Sequence, residues 1–126
     1  MNNIKRLKRD KYENKCFFGI TSNAHVSRIV SLLNKYTGFN LSLIKNEVTI
    51  FYYENDFTEI ILAKNKDFNI IVNPKLRGID YVILVYTNNS SLCGSFFSAI
   101  RKLNTEKDII FASKILEKGI EKKFRL

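Results

Sequence analysis

Ile70–Tyr86, IIVNPKLRGIDYVILVY, decides how the chain is read. Two apolar runs, Ile70–Val72 and Tyr81–Tyr86, flank a loop punctuated by Pro74 and Gly78. Tyr81–Tyr86 is apolar at every position and mixes β-branched with aromatic residues. A central strand covered on both faces has this composition.

Upstream, Val48–Tyr53 and Thr58–Ala63 read as strands joined by the turn Glu54-Asn55-Asp56, a hairpin. Asn65-Lys66-Asp67 is a second polar turn, before a strand over Phe68–Val72. Leu41–Ile44 reads as a brief strand, and Cys16–Thr21 as a buried one. Between these two, Val26, Ile29, Val30 and Leu33 form one helical stripe. Ser22-Asn23 supplies its N-cap chemistry and Gly38 its left-handed stop.

Downstream, Ser90 or Ser91 caps a second helix carrying Leu92, Phe96, Ala99, Ile100 and Leu103 on one side. Gly94 weakens that helix by ~1 kcal/mol relative to alanine. Asn104–Asp108 is a turn, Ile109–Ser113 a final strand, and the alternation from Lys114 suits a frayed helix. The predicted fold class is α+β, with a single mostly antiparallel sheet and two helices packed on one face. The expected organisation is a basic, flexible N-terminal segment (1–15), one α+β domain (16–113) and a basic C-terminal tail (114–126).

Asn73-Pro74-Lys75 followed by Ile79-Asp80-Tyr81 resembles the signature of the IPExxxVDY family of small bacterial proteins. Pro74 and the Ile-Asp-Tyr end match, while Asn73 and Lys75 replace the family's Ile and Glu. The resemblance extends to LLNKYTGFNL (Leu32–Leu41), and the late helix and basic-apolar tail follow in the family's order. It implies kinship and no assigned activity.

At 126 residues and 14.7 kDa the chain fits one domain able to bury a core. Its net charge of +9 is concentrated at the ends, +4 in residues 1–15 and +3 in residues 114–126. Lys5, Arg6, Lys8, Arg9, Lys122 and Lys123 are therefore the candidate contacts to RNA phosphates. The abundance of Lys, Asn, Ile, Phe and Tyr has a second source in A/T-rich codons, which leaves the charge open to a purely compositional reading. No apolar run reaches the ~18–20 residues of a membrane span, and no apolar core follows the basic N-terminus as in a signal peptide. These features imply a cytoplasmic protein with no membrane association.

Asp80, between Arg77 and Tyr81 at the mouth of the central strand, is the carboxylate best placed for chemistry. No second carboxylate or histidine stands near it in sequence, so pinning its loop through backbone N–H groups or Arg77 is the simpler role. Pro74, Gly78, Asp80 and Tyr81 are thus read as a structural motif. Arg77–Leu84, RGIDYVIL, partly imitates the RNA-stacking octapeptide of RRM domains, with Ile79, Asp80 and Leu84 departing from it. The number of strands between the first helix and this segment also argues against that fold.

His25, the single histidine, suits surface or capping duty, and Phe51-Tyr52-Tyr53 suits core packing, a stacking platform or a dimer interface. Cys16 and Cys93 lack metal-ligand spacing and read as buried thiols, with a disulfide between them left open. No catalytic, cofactor or metal site is expected. The functional expectation is a non-enzymatic binding or accessory module, with a protein partner or homodimer open; an RNA-associated protein using its basic tails is the alternative.

Overall fold

A computed structural model describes residues 12–45, 50–65 and 78–115 of the chain. The predicted strand over Phe68–Val72, Val48 and Thr49 in the predicted hairpin, Pro74 and Arg77 lie outside the described residues. The same holds for Lys5, Arg6, Lys8, Arg9, Lys122 and Lys123.

The order of elements is β1 (Asn14–Ser22), α1 (Val26–Thr37), β2 (Ser42–Lys45), β3 (Ile50–Glu54), β4 (Thr58–Lys64), β5 (Tyr81–Thr87), α2 (Leu92–Lys102), a 3-10 turn (Leu103–Thr105) and β6 (Ile109–Ile115). All pairings are antiparallel, in the order β2-β3-β4-β5-β1-β6. The fold is α+β, as the alternation of strands and helices predicts.

With β2 and β3 set aside, β6-β1-β5-β4 is the split βαβ arrangement of ferredoxin-like domains. β1 and β4 both run against β5 and are parallel to each other, with α1 in the crossover between them. β2 and β3 continue the sheet beyond β4 as a meander. The strands whose number argues against an RRM-like order are therefore an extension at one edge.

β5 is buried at all seven positions. Its odd-numbered residues Tyr81, Ile83 and Val85 meet the helices, packing with Phe18, Ile20, Ile60 and Leu62 beneath Ile29, Leu33, Phe96 and Ile100. Phe18 and Phe96 bring their ring centroids to 5.2 Å. Each such side chain contributes about 1.5–3 kcal/mol on leaving water. The opposite face carries a second cluster, Ile50, Tyr52, Ile61, Val82, Leu84 and Tyr86, at 8% exposure or less. Glu59, fully buried on that face, accepts a hydrogen bond from the Tyr52 hydroxyl, as a buried carboxylate must.

The helix N-caps match the sequence expectation only in part, at His25 and in the position of Ser91. Ser22 ends β1, and His25 takes the N-cap of α1, its Nδ1 accepting the Ser27 N–H at 3.1 Å. In α2, Ser91 occupies the cap position without a side-chain cap bond, while Asn89 Oδ1 accepts both its N–H and its hydroxyl. At its end β6 runs on through Lys114 and Ile115, opposite Phe18 and Phe17, where the alternation suggests a helix. Cys16 and Cys93 are joined in a disulfide between β1 and α2, not held as free thiols. Their separation of 77 residues corresponds to about 4–5 kcal/mol in the chain-entropy model. Among the described residues no helix is long and apolar enough to cross a membrane.

Two glycines should respond with opposite signs. Gly38 ends α1 with φ 80°, its N–H bonded to Asn34 O, a conformation that a Cβ opposes. Gly38→Ala should cost about 1 kcal/mol. Gly94 lies within α2, and a methyl group added there would meet no atom within 4 Å. Gly94→Ala should therefore gain roughly 0.5–1 kcal/mol. Urea unfolding midpoints of the two variants check both signs.

Candidate functional site

The segment Gly78-Ile79-Asp80-Tyr81 threads between the ends of β1 and β4. Gly78 has φ 88°, which favours glycine, and its carbonyl accepts the Thr21 hydroxyl at 2.6 Å. Asn65, just after β4, donates its side-chain N–H to Ile79 O and its backbone N–H to Asp80 O, each at 2.9 Å. Asp80 N–H donates to Ile20 O at 2.9 Å, and Asp80 Oδ2 accepts Ser22 N–H at 2.8 Å. Tyr81, 5% exposed, turns into the helix-side core and donates its hydroxyl to Ala24 O at 2.6 Å. A tyrosine so placed offers no open ring face for stacking on a base.

Asp80 and Tyr81 thus grip Ser22 and Ala24, on either side of Asn23 at the exit from β1. Ser22 passes the constraint on. Its hydroxyl donates to Asp108 O and accepts the Ala24 N–H. Asp108 Oδ2 receives Arg28 Nε of α1 at 2.8 Å, while Arg28 Nη2 reaches Glu106 Oε1 at 3.2 Å. Tyr36, also on α1, donates its hydroxyl to Glu106. α1 is thereby fastened to the turn that leads into β6.

These contacts frame an open cavity of about 460 Å³. Asn23, Ala24, His25 and Arg28 line one wall; Lys107, Asp108 and Ile110 line the other. His25 reaches it as the cap of α1. Ile110 reaches it through a β-bulge, because Ser22 faces Ile109 and Thr21 faces Phe111, leaving Ile110 as the extra residue. The bulge turns two consecutive large apolar side chains outward: Ile110 is 64% and Phe111 59% exposed. Asn104 closes the adjacent backbone, its amide donating to Ala112 O at 3.0 Å and accepting Ala112 N–H at 2.8 Å.

The Asp108 hydrogen bond holds the Arg28 guanidinium above its ordinary range, and the same bond with Arg28 holds the Asp108 carboxyl below its own. Among the described residues no group of three His, Cys, Asp or Glu side chains is arranged to hold a metal ion. Tyr52 is buried beside Glu59, and Phe51 and Tyr53 pack against the helix-side core, with Tyr53 4.9 Å from the Phe39 ring. The Asn88–Ser91 turn is occupied by the Asn89 contacts to Ser91.

Of the sequence-derived motif, the described residues Gly78, Asp80 and Tyr81 converge behind one wall of this cavity. The cavity residues themselves, Arg28, Lys107, Asp108 and Ile110, carry no motif spacing. The available signal is Ile109-Ile110-Phe111, three apolar residues in succession where an alternating strand hides only every second one. No protein-family model matches the chain, and no curated protein matches it with significant similarity.

Asp80→Ala should lower stability by about 1–3 kcal/mol, since it strands the Ser22 N–H, whereas Tyr81→Phe should lose about 1 kcal/mol. Urea titrations measure both. Arg28→Ala should raise the Asp108 titration midpoint towards the ordinary aspartate value of 3.8, read by NMR of the side-chain carboxyl. Because the folded Asp108 is depressed, its contribution is complete above the unfolded value and is lost as pH falls through the folded one. The variant should lack that acid-limb loss.

Proposed function

We propose that the chain is a non-enzymatic, cytoplasmic binding module, kin to the bacterial IPExxxVDY family, that docks a protein partner beside the β6 bulge. The supporting observation is the outward pair Ile110 and Phe111 next to an open cavity with a mixed-charge polar rim. An apolar patch framed by polar side chains gains free energy when a partner removes it from water.

Asn104 restricts the mode of docking. It already pairs with both backbone groups of Ala112, as a neighbouring strand would, so the partner engages side chains and does not extend the sheet there. Arg28 is already engaged by Asp108 and Glu106, so Lys107 is the cavity cation that favours an acidic group on the partner. The motif at Asp80 and Tyr81 serves as scaffolding for the wall that the partner meets.

The test is capture from native cytosol with the wild-type chain and with Ile110→Ser/Phe111→Ser. Both side chains are exposed, so the double variant should keep its stability within about 0.5 kcal/mol of wild type. It should lose the captured protein. Capture indifferent to both substitutions overturns the reading. Recovery of RNA instead, falling steeply with salt and lost on deletion of residues 1–15, would establish the basic-tail alternative.

A further inference from the structure

The Cys16–Cys93 bridge joins two unlike environments. Cys16 lies on the helix side of β1 at 3% exposure, packed in the main core. Cys93 lies in the first turn of α2, only partly buried, between exposed Ser90 and Ser91 on one side and exposed Gly94 and Ser95 on the other. Small thiols and disulfides from solvent therefore meet Cys93 first.

Besides the bridge, that first turn is held by Leu92, which packs against the main core, and by the Leu92 N–H bonded to Asn89 O. Ser91 makes no side-chain cap bond, the turn has no acidic residue to complement the helix dipole, and Gly94 has no side chain to pack there. Full burial begins only at Phe96 and continues through Ala99 and Ile100. The disulfide fastens the turn to β1, while the rest of α2 holds through its own side chains.

We propose that Cys16 and Cys93 form a thiol–disulfide exchange site, with Cys93 the entry cysteine, Cys16 the buried resolving cysteine, and the first turn of α2 the element they control. In oxidation, the Cys93 thiolate attacks one sulfur of glutathione disulfide. A mixed disulfide forms and one glutathione thiolate leaves, taking a proton from solvent. The Cys16 thiolate, having given up its own proton, then attacks the Cys93 sulfur and expels the second glutathione. The two protein thiols lose two electrons, and the glutathione disulfide gains them. A dithiol reductant reverses the sequence and frees the turn.

Equilibration of the full chain in glutathione redox buffers, followed by mass spectrometry and amide exchange, provides the test. Intermediate ratios should give a mixture of oxidised and reduced protein. On reduction, exchange over Leu92–Ser95 should accelerate about tenfold or more, while Asn23–Arg28 and β5 keep their protection. Cys16→Ser should trap glutathione on Cys93, and Cys93→Ser should leave Cys16 unmodified. The rate of alkylation at each thiol of the reduced wild-type chain gives the same ranking without a substitution, with Cys93 the faster. Equal reactivity of the two cysteines, a bridge that stays oxidised at every ratio, or global unfolding on reduction overturns the proposal.

Discussion

The carboxylate of Asp80 accepting the Ser22 N–H is the contact on which the cavity end of the molecule depends. It is a bond between residues 58 apart, and charge-assisted bonds of this kind are stronger than neutral ones. Through it the last residue of β1 is fixed relative to the chain entering β5. The Ser22 hydroxyl then sets Asp108 and Ala24, and Asp108 sets Arg28. Strand ends, a helix and a turn meet in one short relay. A motif at the entrance of a central strand thus acts at a distance from its own side chains, by shaping a wall it does not itself line.

The sheet explains why such a relay is needed. β1 is flanked by β5 and β6, so its end is the junction of both crossover units. The chain leaves it through only Asn23, Ala24 and His25 before α1 begins. Any looseness there would move the helix against the sheet, and the core between them would lose close packing. Tyr81 contributes from the other direction, with its ring in the helix-side core and its hydroxyl on Ala24.

The elements most legible in the sequence were those whose pattern has one physical reading. The stripe of Val26, Ile29, Val30 and Leu33 can face a core only as a helix, and Tyr81–Tyr86 can be satisfied only between two covered faces. The strand order was not legible, because β2 and β3 look like any other meander strands until their edge position is known. The disulfide was hidden by a separation of 77 residues. Glu59, inside Thr58–Ala63, carries a signal that periodicity does not use, since a charge within an apolar run requires a buried partner. The cavity was the least visible feature: it combines α1, the turn before β6 and a bulge, and sequence periodicity carries no signal for an inserted residue. Asp80 was legible as a backbone acceptor, but its donor lies on another strand altogether.

The pairing of Asn104 with Ala112 has a consequence for how the protein behaves in a crowded solution. Among the described residues β6 is an edge strand, and its Ile109–Ala112 is β-branched, aromatic and uncharged, as in fibril-forming segments. Left bare, its backbone would template the addition of identical strands, each new copy offering the same edge to the next. One side-chain amide occupies the hydrogen-bonding groups at Ala112 and interrupts that template. The chain can therefore present an isoleucine and a phenylalanine to solvent while the backbone at neighbouring Ala112 is closed to an incoming strand.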